Sequence, residues 1–305
     1  MSIGVVLSVT ASVLFGGLYY FSTLLAPLDG EQIFGWRMLL TFPFVTLFML
    51  VAGYWSLARE LAARIRQRPA LLLVQLLSAV LVGLQLWLFM WAPVNGRALE
   101  VSLGYFLLPL SMVLAGYLIF REHPSRLQQL AIACAVLGVG HALLQAGTFA
   151  WETLLVAVGY PAYFVLRRLT GTDNLGGFWF DMLFLLPVAG WFAWAGGAGP
   201  ALFVELPRLY PLVALLGAFS ALALVTYTMA SRLLTFTLFG LLGYVEPVLL
   251  VLVALLLGES IAPDQWFTYI AIWSAVGVLV FEGLRHLRRS RGALRRAADR
   301  DSDPR

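Results

Sequence analysis

The chain has 305 residues, 61% of them hydrophobic and 12% charged, with a mean hydropathy of +0.88 and a formal net charge of +4. So few charges cannot cover a water-facing surface, which excludes an ordinary soluble domain. The lone cysteine, Cys134, excludes a disulfide within the chain and reads as a small apolar packing residue.

Apolar runs near 20 residues recur along the sequence, at 3–25, 33–53, 70–92, 99–119, 125–145, 150–168, 176–196, 207–229, 234–257 and 264–284. Each is long enough to cross a hydrocarbon core of about 30 Å as a helix. Barrel strands would alternate over about ten residues, whereas these runs are continuously apolar. The first run, from Ile3, lacks a basic leader and a small-residue cleavage site, so it reads as a mature helix rather than a signal peptide. The expectation is an all-α membrane protein of ten transmembrane helices, arranged as two inverted five-helix repeats. Residues 1–146 form the first repeat, 147–284 the second, and 285–305 a basic cytoplasmic tail.

The chain has no lysine, and its arginines set the orientation. With the N-terminus inside, Arg59, Arg64, Arg66, Arg68, Arg121, Arg126, Arg167, Arg168, Arg232 and the whole tail cluster are cytoplasmic. Only Arg37, Arg97 and Arg208 fall on or near the other side. This bias predicts both termini in the cytoplasm. The stretch Arg285–Arg296 reads as an orientation anchor, with binding to anionic lipid as the other reading.

The repeat is visible in the residues. Trp36-Arg37-Met38-Leu39 with Pro43 returns 144 positions later as Phe180-Asp181-Met182-Leu183 with Pro187, and Tyr19 returns as Tyr163. Gly104-Tyr105 with Pro109 returns as Gly243-Tyr244 with Pro247, at offsets of 139 and 138. Five spans separate the copies. Five is odd, so the second copy faces the opposite way, a recurring transporter plan.

The segment Trp87-Leu88-Phe89-Met90-Trp91-Ala92, followed by Glu100-Val101-Ser102-Leu103-Gly104-Tyr105-Phe106 and Pro109, resembles RarD-type proteins. These belong to the EamA branch of the drug/metabolite transporter superfamily. Phe184–Ala189 and the ninth span closing on Gly258-Glu259 resemble the same family. The resemblance implies ten helices in two inverted halves around a central cavity, moving small metabolites or drugs, mostly outward. Two positions depart from the family pattern: Leu108 stands where a polar Asn is usual, and Glu246 where a small residue is usual.

Glu246 is the sharpest candidate for chemistry. It lies near the middle of the ninth span, where a charge costs about 3 kcal/mol on insertion scales. It must therefore face a cavity, meet a cation or hold a proton, and it reads as a substrate-amine or proton site. Pro247 removes a backbone donor beside it. Tyr244, Tyr105, Tyr19, Tyr163 and Trp87 are the other candidate site residues, since their rings pack apolar ligand while a polar handle bonds it. Trp36, Trp91, Trp151 and Trp266 read as interfacial anchors.

Arg37 and Asp181 occupy matching positions with opposite sign, near opposite faces of the membrane. The expected gate-side pairs are Arg37 with Glu100, and Asp181 with Arg232 or Arg168. Snorkelling of Arg37 to the headgroups is the competing reading. Pro43, Pro109, Pro187 and Pro247 are candidate hinges or static kinks. His141 has no carboxylate or second histidine at ligand spacing and reads as structural.

There is no Gly-rich nucleotide loop and no clustered His, Cys or carboxylate set, so neither an ATP-driven pump nor a membrane enzyme is expected. No cofactor, metal or nucleic acid is expected. The expected partners are the lipid bilayer, a small-molecule substrate and protons. The expected function is secondary transport, most simply export, of a small amphipathic or zwitterionic metabolite by alternating access at a bacterial inner membrane. An amino acid, an amino-acid-derived metallophore and a drug all fit. The alternative is a non-transporting membrane assembly or receptor protein.

Overall fold

The computed structural model describes residues 2–95, 97–147, 150–195, 199–249 and 263–282. The far end of the ninth predicted span, with Gly258-Glu259, and the tail lie outside the described residues, as does the side chain of Tyr19. Among the described residues every regular element is a helix. They are α1 (Ser2–Thr23), α2 (Gly30–Val51), α3 (Trp55–Gln67), α4 (Ala70–Val94), α5 (Ala98–Phe120), α6 (Arg126–Ala146), α7 (Trp151–Thr170), α8 (Leu175–Ala195), α9 (Gly199–Glu205), α10 (Leu209–Leu233) and α11 (Phe236–Leu242), with α12 at Trp266–Glu282.

Seven of these, α1, α2, α4, α5, α6, α8 and α10, are long and apolar enough to cross a membrane. Helix α7 has 20 residues but includes Glu152, Arg167 and Arg168. It is long enough, at about 1.5 Å per residue, and less apolar. Beyond α11 the apolar helix continues to Leu249 after a break at Gly243-Tyr244. Large apolar side chains such as Leu73, Leu118, Leu137 and Trp191 lie exposed on the outside, a surface suited to lipid rather than water.

Local chemistry fixes several boundaries. Asp29 and Gln32 form a reciprocal capping box at the start of α2, and Ser125 and Gln128 do the same for α6. Each satisfies backbone donors that a helix start leaves open. Gly171, at φ +62°, ends α7 in the left-handed conformation that glycine tolerates.

Helix α3 lies within residues 54–69, which the sequence reading leaves unassigned between the spans 33–53 and 70–92. Leu57, Ala58, Leu61 and Ile65 recur at helical spacing among exposed charges, so the segment is an amphipathic helix. Its Arg64 donates to the carbonyls of Thr170 and Gly171 at 2.7 and 2.9 Å, tying α3 to the turn after α7.

The contacts give the relative directions of the helices. Phe15 meets Tyr227 and Phe21 meets Phe219, so α1 and α10 run antiparallel. Phe34 meets Phe192 and Phe42 meets Trp179, so α2 and α8 also run antiparallel. Along α5 and α7, Glu100 is bonded by Thr153 and Tyr105 stacks near Tyr160, a parallel pair. Phe120 against Phe236, and Phe106 bonded by Tyr244, make α5 antiparallel to the α11 segment. Ser125 with Glu282 and His141 with Thr268 make α6 and α12 antiparallel.

Close packing needs small residues at these crossings. A Cβ on Gly35 would stand 2.6 Å from both the Ala189 carbonyl and the Ala193 nitrogen. Only glycine lets α2 lie this close to α8.

Candidate functional site

A central cavity is lined by α1, α2, α4, α5, α7, α8, α10 and the broken α11 segment. The space within it together with the open solvent at its mouth comes to about 750 Å³. Most of its wall is apolar: Phe15, Val82, Leu86, Phe89, Leu108, Phe164, Phe178 and Leu224. Four tyrosines, Tyr105, Tyr160, Tyr163 and Tyr227, add hydroxyls, and Arg37 and Glu246 add one basic and one acidic side chain.

Arg37 is completely buried. Its Nε donates to Ser220 Oγ at 2.6 Å, and its guanidinium lies 5.9 Å from the centre of the Phe89 ring. Nη1 and Nη2 have no hydrogen-bond partner among the described residues. Burial excludes snorkelling. The expected pair with Glu100 does not form: Arg97 takes Glu100 at 2.9 Å and also reaches Glu152 at 2.5 Å. Arg97 lies one helical turn from Glu100, so local geometry favours it.

Glu246 sits two residues beyond the Gly243-Tyr244 break. There the bonds Gly243 N to Gly240 O, Tyr244 N to Leu241 O and Glu246 N to Gly243 O are all of the tighter three-residue kind. Pro247 has no N–H to restore the ladder. Pro43, Pro109 and Pro187 lie inside continuous helices. So does Pro161 of α7, which the sequence reading passed over.

Asp181 is also completely buried. Its partner is Arg167, at 2.9 Å, rather than Arg232 or Arg168. Tyr163 donates to Asp181 at 3.0 Å, and Gln75 donates to the other carboxylate oxygen. Arg167 also binds the carbonyls of Thr172 and Asn174, which clamps the α7–α8 turn. Arg232 lies exposed in the last turn of α10. Arg168 donates to the Leu234 carbonyl at 2.8 Å and faces Glu122, whose carboxylate accepts from the backbone of Phe236 and Thr237 at 2.7 Å each.

Of the predicted site residues, Glu246, Tyr105 and Tyr163 line the cavity. Tyr244 is outside the lining, buried with its hydroxyl on the Phe106 carbonyl. Trp87 is also outside it, packed on Trp91, which stacks near Trp151. Sequence reasoning missed Tyr160 and Tyr227, which have no counterpart in the repeat to mark them.

These features, a bundle of lipid-facing helices around a cavity holding one basic and one acidic side chain, are those of a multi-pass membrane protein, and the relatives make it a transporter. Residues 2–144 match the EamA-like transporter family. The chain is 46% identical to the chloramphenicol-sensitive protein RarD of Pseudomonas aeruginosa, over 94% of this chain and 96% of the relative. It is 43% identical to an uncharacterized transporter of Pasteurella multocida, over 94% and 98%. It is 28% identical to the protein RarD of Escherichia coli, over 94% and 97%. A solved crystal structure shares the fold with a TM-score of 0.64 at 17% identity, covering 92% of this chain and 98% of its own. The chain belongs to the EamA-like transporter family, as a RarD-type member.

Proposed function

We propose that the protein is a secondary transporter, built from ten helices in two inverted halves, that exports a small amphipathic or zwitterionic metabolite by alternating access across the inner membrane. One observation carries the reading: Arg37 and Glu246 share a single tyrosine-lined cavity. A purely structural bundle has no use for a fully buried arginine and a mid-span carboxylate that share a cavity while no ion pair joins them among the described residues. The helix directions support the inversion, since α2 runs against α8, its counterpart at the 144-residue offset. The broken helix beside Glu246 supports it too, because discontinuous helices recur at transporter binding sites. The relative named for chloramphenicol sensitivity keeps drugs among the cargo classes, with amino acids and amino-acid-derived metallophores.

Metabolite profiling of medium and cytosol from a strain lacking the protein tests export. A compound trapped in the cytosol names the cargo. Unchanged pools on both sides count against the reading. Within the site, Glu246→Gln is expected to alter both the rate of transport and its pH profile; if both stay as in the parent, Glu246 is neither a cargo nor a proton site.

A further inference from the structure

We infer that α3 is a docking surface for anionic phospholipid headgroups, held by Arg59, Arg66 and Arg68. The depth of α3 follows from the helices on either side. Val51, the last residue of α2, is 80% exposed, and Leu73, in the first turn of α4, is 70% exposed. Both belong to helices apolar enough to span, so their open side chains face hydrocarbon. The chain therefore leaves and re-enters the hydrocarbon within a few residues of α3, which puts α3 at headgroup level. There it is seated on protein rather than sunk into lipid. Ala58 and Leu61 are buried, and Trp55 meets Trp179 of α8 edge-on with ring centres 5.3 Å apart. A Cβ on Gly176 would stand 2.5 Å from the Leu57 carbonyl oxygen, so the start of α8 lies directly under α3.

That seating fixes which face looks outward. Arg59, Ala63 and Arg66 are exposed and recur at intervals of four and three, so they form one stripe. At 1.5 Å per residue the two arginines stand about 10 Å apart along the axis. Arg68 is exposed just past the end of the helix. Residues 55–68 hold four arginines against one carboxylate, Glu60. Arg64 is occupied by the Thr170 and Gly171 carbonyls. The other three form no ion pair among the described residues. Guanidinium forks match phosphate in shape and charge, and an anionic bilayer surface offers phosphate at this depth. Arg121, Arg126 and Arg232 are exposed at the same end of the bundle, but they are divided between two other connections. Only α3 sets its free arginines along one element that lies between two spans.

The test is native mass spectrometry of the full-length protein in detergent, titrated with phosphatidylglycerol or with phosphatidylcholine, whose amine cancels the charge of its own phosphate. The parent is expected to bind phosphatidylglycerol at least about fivefold more tightly. Arg59→Gln, Arg66→Gln and Arg68→Gln together are expected to erase most of that preference. Arg121→Gln, Arg126→Gln and Arg232→Gln together are expected to keep it. Ala63→Glu retains every arginine but sets a carboxylate between Arg59 and Arg66. It is expected to weaken phosphatidylglycerol several-fold and leave phosphatidylcholine unchanged, and it decides the matter if the first triple variant fails to fold. Equal binding of the two lipids by the parent, equal loss in the two triple variants, or unchanged binding in Ala63→Glu overturns the assignment. Displacement of the lipid by inorganic phosphate, at an ionic strength where chloride does not displace it, makes the occupant a soluble anion and overturns it too. So does a dimer that forms without lipid and is abolished by the α3 changes, since the stripe then belongs to a second copy.

Discussion

Arg37 and Asp181 stand at matching positions of the repeat, yet their surroundings differ in kind. Asp181 is bonded by Arg167, Tyr163 and Gln75, whereas two buried donors of Arg37 have no hydrogen-bond partner among the described residues. Removing one partner of a buried pair strands the other, at a cost of about 3–5 kcal/mol. Asp181→Asn is therefore expected to lower the thermal unfolding temperature of the purified protein sharply. The double change Asp181→Asn with Arg167→Gln should recover part of the loss; equal damage would mean that the pair is not the source. The importance of Glu246 was legible in the sequence, because a single carboxylate interrupts an apolar run. The partners of Arg37 and Asp181 were not. Arg97 is close in sequence to Glu100 and Arg167 to Asp181, but only the fold brings Arg97 against Glu152 and Arg167 of α7 against Asp181 of α8. Ser220 carries no charge to mark it as the brace of a guanidinium on another helix.

Among the elements, the α2–α8 contact depends on Gly35. A methyl group there meets backbone atoms, which cannot swing aside as a side chain can. Overpacking of this kind costs about 1–3 kcal/mol. Gly35→Ala should lower thermal stability by that order, while Gly190→Ala, on α8 with nothing within 4 Å of the added carbon, should be nearly silent. If the two behave alike, the close approach is not what holds these helices. Length and apolarity made the long helices legible, to within a few residues at most ends. They hid α3, whose charges resemble a loop until its apolar residues are read at helical spacing. They also hid the break in the ninth span. Pro247 marked the vicinity, but the bend lies at Gly243-Tyr244, where the backbone turns to three-residue bonds.

For the molecule as a whole, the arginine distribution sets an expected topology. A reporter enzyme active only outside the cytoplasm should work when fused in the Asn95–Arg97 connection and fail when fused in the Arg121–Ser125 connection. The reverse pattern would invert every inside and outside assignment. The proposed repeat rests on matched Pro, Gly and Tyr at near-constant offsets in the sequence. Which helices lie against which was not legible there, since only the contacts pair α1 with α10 and α2 with α8. With Glu246 ionised, the two ionisable side chains of the cavity's charged pair, Arg37 and Glu246, sum to zero. A doubly charged but net-neutral cargo adds nothing to that sum. Carrying it across moves no charge through the membrane field, where each elementary charge is worth about 2.3 kcal/mol per 100 mV. Flux would then follow the cargo's own gradient and ignore an imposed voltage. A voltage-sensitive flux in proteoliposomes would reveal a co-moving ion, leaving the cell's resting potential as an engine rather than a bystander.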